Sequence, residues 1–412
     1  MKILLIVVLT LGLLLFGCAG NGQSNTNAPI HLASMDSNND TNNTTIIENN
    51  SISDNITIAL TDPTVSLQVP PQAIVACQYT ISSSGQYVLD ADLFETQGKD
   101  CIIISVDNVT LDCQGHAIIG NRNMSFAASK KIQQTGDSFN FPTPKDERTD
   151  VDIGILLLNV KDIFVKNCLV SNFGYTGIYL SHSSNNNIVG NDVENNEVNG
   201  IYLYNSNDNR FVSNNIKNNS LVTKSSNISS IGFTIVTTSS YLNSGGIYLI
   251  NSSNNNFKSN SVTSNGVGID LSSSNNNTII ENNFTLNSLG IDVEKSDKNV
   301  FTDNNISSNY DSFRLSLSND NQFAGNYVAS SHNEGISLYD SNNNSFSENT
   351  IYRNWRGIVF QYSSNNTFAS NNVTNNSKND FECVDNGGNS NNDLGNICKT
   401  NSCYQWLKCR KG

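Results

Sequence analysis

The chain has 412 residues, a formal net charge of −13, a pI near 4.6 and only 14% charged residues. A nucleic-acid groove or an anionic membrane surface needs clustered Lys and Arg, so both are disfavoured as partners. Roughly 70 residues are Asn, a type depleted from helices and ordinary strands but favoured in turns, so Asn has to serve at regular turn positions.

Residues 1–18 read as an export signal: Lys2, an apolar run from Ile3 to Phe16, then Gly17, Cys18 and Ala19. The stretch Leu15 to Cys18 resembles a lipobox, which implies cleavage before Cys18 and lipidation of that thiol; cleavage near Ala19 or an uncleaved membrane anchor are the alternatives. The mature chain is therefore expected outside the cytoplasm, tied to a membrane by its lipid or its signal. Residues 19–65 are Asn, Ser, Thr and Asp without period, too poor in apolar side chains to offset the entropy of ordering, and read as a tether.

Eight further cysteines, Cys77, Cys101, Cys113, Cys168, Cys383, Cys398, Cys403 and Cys409, sit at the two ends of the folded region. Disulfides are the natural reading in an exported chain, with connectivity open. The last four could instead bind zinc, but they lack paired C-x2-C spacing.

From Gly154 a motif starting Gly-Ile recurs at Gly177, Gly200, Gly246, Gly268, Gly290, Ser312, Gly335 and Gly357, at spacings of 23, 23, 46, 22, 22, 22, 23 and 22. The shared pattern is G-I-x-L-x2-S-x2-N-x-[FI]-x2-N-x-[VI]-x2-N. Its apolar positions alternate over segments too short for helices, so each coil is read as three brief strands. One coil buries about four large side chains, roughly 6–12 kcal/mol gross, less than the cost of fixing its backbone. Coils must therefore stack, strand on equivalent strand. The expected fold is an all-β, right-handed, single-stranded parallel β-helix of about 10–12 coils over 66–380, with disulfide-rich terminal caps.

The internal columns are named by the period: Phe211, Phe257, Ile279, Phe301, Phe323, Phe346 and Phe368 in one, Val193, Ile216, Val262, Phe284, Ile306, Val328, Ile351 and Val373 in another. Beside them run a Ser column from Ser183 to Ser363 and two Asn columns, from Asn186 to Asn366 and from Asn191 to Asn371. Asn is expected to take the left-handed backbone at the bends and to hydrogen-bond between coils. Two stretches break the register: 121–152, rich in charge, and 220–245, either a degenerate coil or a projecting loop. Tyr79 to Asn121 is expected to cap the first coil, and 381–412, with Trp406, the last.

The outward position two residues after each Gly reads Tyr179, Tyr202, Tyr248, Asp270, Asp292, Arg314, Ser337 and Val359. Asp270 and Asp292 should be neighbours on adjacent coils, with Arg314 next and Glu294 close, a geometry open to acid chemistry, with solvated aspartates neutralised by Arg314 as the favoured reading. Tyr179, Tyr202 and Tyr248 make an outward aromatic strip, on which sugar rings would stack or which serves cross-strand packing.

The repeat, with DNVTLDCQGHAI at Asp107 to Ile118, resembles the NosD-like β-helix family, within the wider set of carbohydrate-binding proteins and sugar hydrolases that share parallel β-helix repeats. The resemblance covers about residues 77 to 380 and implies the fold. In function it points to a periplasmic role in copper-enzyme maturation or to polysaccharide lyases, hydrolases and epimerases. Copper wants clustered His, Met or Cys ligands, whereas His31, His116, His182 and His332 are scattered. No metal site and no cofactor is indicated; calcium would enter only with a lyase. The favoured reading is an exported, surface-anchored structural or carbohydrate-binding β-helix facing extracellular polysaccharide. The alternative is an enzyme on acidic glycans acting at Asp270 and Asp292. Sequons such as Asn55, Asn108, Asn227, Asn251, Asn283 and Asn305 are compatible with a glycosylated rod.

Overall fold

A computed structural model of the chain describes residues 70–121, 152–220, 245–384, 390–403 and 407–410. Cys18, the tether, Trp406 and nearly all of both register breaks lie outside the described residues.

Among the described residues the strands form three parallel sheets, A with 13 strands, B with 12 and C with 11. A regular coil gives six residues to B, as in Thr176–Ser181, then three to A, Asn187–Val189, and three to C, Asp192–Glu194. In the regular coils each strand pairs with the third one along the chain, the order a solenoid requires. Equivalent residues stand above one another: Phe301 pairs with Phe323, and their rings stack at 5.0 Å. The predicted columns, together with those of Ile178 and Leu180, fill one continuous apolar core.

The coil at 199–217 pairs directly with the coil at 245–263 in all three sheets. No rung separates these two coils. Residues 102–119 likewise pair directly with 153–171.

Both expected end segments carry strands of the sheets they adjoin. Residues 72–119 contribute strands to all three sheets, so they are coils in their own right. Beyond 380 the solenoid continues, because Asn379–Val384 extends sheet B and Asn392–Leu394 extends sheet A. The eight cysteines pair as Cys77–Cys101, Cys113–Cys168, Cys383–Cys403 and Cys398–Cys409.

The Asn columns are three, and their chemistry differs from expectation in one respect. The ladder Asn is not the left-handed residue; the residue before it is, as in Asn276 before Asn277, Glu281 before Asn282 and Leu286 before Asn287. That frees the buried Asn to act purely as a connector. Asn304 accepts from the N–H and the Nδ2 of Asn282 at 2.9 and 3.1 Å, and its own Nδ2 donates to the Ile279 carbonyl and to Asn326 Oδ1 at 2.8 and 3.0 Å. All four hydrogen-bonding capacities of the amide are used. Every such bond from Nδ2 to Oδ1 runs toward the C-terminus, so the last rung needs an acceptor without donors. Asp380 ends one ladder by accepting from Asn376, and Asp393 ends another by accepting from Asn396.

Candidate functional site

The six-residue strands of sheet B carry more outward side chains than the other sheets, and the site is built on them. The register places Tyr179, Tyr202, Tyr248, Asp270, Asp292, Arg314, Ser337 and Val359 in one outer column, one residue per coil.

The tyrosine strip is not an open platform. Tyr179, Tyr202 and Tyr248 are only 7%, 4% and 3% exposed, and they belong to a second apolar cluster with Ile153 and Leu156. Their rings stack on one another at 4.7 and 5.3 Å, and Tyr175 packs edge-on against Tyr202. No ring face is left for a sugar. Alternation along a strand fixes which side a residue takes but not what lies over it. Burial pushes the Tyr175, Tyr202 and Tyr248 phenols far above their usual range.

The column then turns polar. Asp270 and Asp292 are buried neighbours. Burial, reinforced by the negative charge of Asp292, pushes the Asp270 carboxyl well above the ordinary range, with Arg314 opposing. Arg314 donates from Nε to Asp292 Oδ1 at 2.9 Å and from Nη2 to Oδ2. The hydrogen bond to Asp292 in turn raises the guanidinium pKa. Burial thus favours the protonated form of Asp270, while both oxygens of Asp292 are engaged by Arg314. A free general base is not among them.

Sequence reasoning missed the flanking groups. Asp311, Glu334 and Arg356 line the adjacent outward positions, with Glu382 on the last strand. Arg356 pairs with Glu334 at 2.8 Å and Glu382 at 3.6 Å, and Lys378 also reaches Glu382, at 2.8 Å. Burial holds Glu334 up against the pull of Arg356. Burial also acts upward on Glu382, but hydrogen bonds from Lys378 and Asn379 and the Arg356 charge outweigh it and keep that carboxyl low.

A copper site does not fit these side chains. The eight described cysteines are in disulfides. His116 lies against Asp92, His182 against Asn205 and His332 against the Tyr310 ring, on separate coils. Among the described residues no three His, Cys, Asp or Glu side chains converge so as to hold a metal ion.

Three parallel sheets, inward columns and amide ladders define the chain as a parallel β-helix. It belongs to the right-handed β-helix family: that profile matches residues 80–285, and the profile of the periplasmic copper-binding protein NosD matches 224–401, making it a NosD-like member. No curated protein matches significantly. Among solved structures, the A-module of the Azotobacter vinelandii mannuronan C-5 epimerase is similar at 11% identity and TM-score 0.58, covering 79% of this chain and 89% of that one. A periplasmic alginate epimerase double mutant is similar at 14% identity and TM-score 0.54, covering 78% and 76%. The Dettilon tailspike protein is similar at 17% and 0.53, covering 74% of this chain; the chain spans 58% of the tailspike. At these identities the likeness is one of fold. The disulfides and the periplasmic family mark an exported protein.

Proposed function

We propose that this chain is a cell-surface β-helix that holds a polysaccharide against the outer face of sheet B without covalent chemistry. It is tethered through its N-terminus by a lipid on Cys18. One observation carries the reading: sheet B gathers Asp270, Asp292, Arg314, Asp311, Glu334 and Arg356 on consecutive coils. The ion pairs on sheets A and C are spaced apart, such as Lys217 with Glu194 and Lys258 with Glu281, whereas those of sheet B join neighbouring coils of one face. Regular rungs repeat a contact at even intervals, which suits a polymer of repeating units. The similar folds, named as a mannuronan epimerase and an alginate epimerase, support a polysaccharide partner in general.

The test is binding across a panel of soluble polysaccharides, with Ser337→Arg, which sets a bulky side chain in the middle of the face, against Asn305→Arg on sheet C. Retention lost only in the first supports the reading. Equal binding by both variants, or no binding by the unaltered protein, refutes it.

A second reading rests on Asp270. A buried carboxyl favoured in its protonated form is a proton donor, as a hydrolase, lyase or epimerase on an acidic glycan needs, and calcium would accompany only the lyase case. It predicts released oligosaccharide or a changed uronate, abolished in Asp270→Asn. Silence across the panel counts against it.

A further inference from the structure

Apart from Phe94, every exposed large aromatic ring among the described residues lies between 310 and 362. Tyr327 stands on sheet C, and the others flank sheet B. Tyr310, His332 and Trp355 each directly follow the third ladder residue of their coil, Asn309, Ser331 and Asn354, at the corner where sheet C turns into sheet B. Other coils place Glu197, Ser288 or Ser377 at that position. Tyr310 is 60% and Trp355 41% exposed, and Tyr310 and His332 stack at 6.2 Å across one coil step. The Arg356 guanidinium lies over the Trp355 ring at 4.5 Å, which sets that ring beside the outer face of sheet B. On the opposite margin of the same strands stand Tyr339 and Tyr362, edge to face at 5.8 Å.

Leaving this much aromatic surface in water on three consecutive coils is unfavourable for folding alone. Flat rings at both margins of a rigid polar floor suit the apolar faces and hydroxyl edges of sugars. The charge of the floor narrows the ligand. Arg314 is taken by Asp292, Arg356 by Glu334 and Glu382, and Lys378 by Glu382, while Asp311 accepts from the Glu334 N–H. No cation in this group is left to meet an anionic sugar, and the whole chain carries −13. Paired guanidinium and carboxylate groups remain good partners for hydroxyls.

We infer that the sheet B face between residues 310 and 362 is the seat of a neutral polysaccharide, rimmed by Tyr310 and Trp355 on one side and by Tyr339 and Tyr362 on the other. This rests on the polysaccharide-binding reading above and deepens it.

Affinity electrophoresis of the full chain through gels containing a soluble β-glucan, a xylan, a galactomannan or polygalacturonate tests it. At least one neutral polymer should retard the protein where polygalacturonate does not. The double variant Tyr310→Ala/Trp355→Ala should weaken that retardation about tenfold or more. Tyr327→Ala, exposed on sheet C, should leave it unchanged, with all three proteins melting alike. Unchanged retardation in the double variant, or retardation by polygalacturonate alone, overturns this seat while polysaccharide binding stands. No retardation by any polymer sinks both.

Discussion

Replacing Asn304 by Ala removes one connector from the middle of a buried ladder, and the cost follows from its four bonds. The Asn282 N–H loses its partner, Asn304 Oδ1, and an orphaned buried donor costs about 1–3 kcal/mol. The Asn282 Nδ2 keeps its bonds to the Phe257 and Ile280 carbonyls, and Asn326 Oδ1 keeps the Asn304 N–H, so those groups are weakened rather than stranded. Losing the bonds from Asn304 Nδ2 to Ile279 and Asn326 adds about 1 kcal/mol each. The expected loss is about 3–5 kcal/mol, against less than about 0.5 for Asn305→Ala one residue along on the surface. Guanidinium unfolding with the disulfides intact measures the difference. Because coils couple chiefly to their neighbours, amide exchange should accelerate most in the coils around 282 and 326. Equal midpoints for the two variants would refute the claim that the ladder amides are fully engaged.

Burial pushes the Asp152 carboxyl up to about 6, with Glu95 and Glu197 adding repulsion against a hydrogen bond from the Gly174 N–H. A carboxyl raised on folding favours the native state fully below about pH 4, and that contribution is lost as pH climbs through about 6. The melting temperature of Asp152→Asn should therefore gain on the parent's between pH 4 and 7, and parallel curves would defeat the assignment. Leu286 sits exposed at φ 60°, so Leu286→Gly should raise the unfolding free energy by about 1 kcal/mol in guanidinium melts, whereas a decrease would mean the side chain is needed. Converting Cys113 and Cys168 to Ser removes the cross-link between neighbouring coils on either side of the 122–151 stretch. A loss of about 2–4 kcal/mol is expected in thermal melts, and none would argue that strand pairing alone holds those coils.

The architecture was legible because one period specifies it many times over. Phe301 above Phe323 needed only counting. Three things were not legible, each for a local reason. A side chain's alternation does not report what covers it, so Tyr179, Tyr202 and Tyr248 read as open when they are buried. Left-handed backbone and ladder hydrogen bonding fall on adjacent residues, both often Asn, so a single letter hid two jobs until Asn276 and Asn277 were seen apart. Arg356 and Trp355 lie outside the outer column two residues after each Gly. Their signal was present in the position after the third ladder residue, where Tyr, His and Trp succeed one another in place of small or acidic residues.

The ladders have consequences for how such a rod changes length. Their terminators, Asp380 and Asp393, act only on the final rung, while interior rungs, Ser331 in the third ladder apart, present the same donors on one side and the same acceptors on the other. Duplicating or deleting a whole unit inside the stack leaves both junctions chemically identical to those already there. Reach is therefore a quantity that unequal recombination can tune in steps of one rung. A tract added after the aspartates would meet a carboxylate where it needs an amide, and would have nothing to grow from.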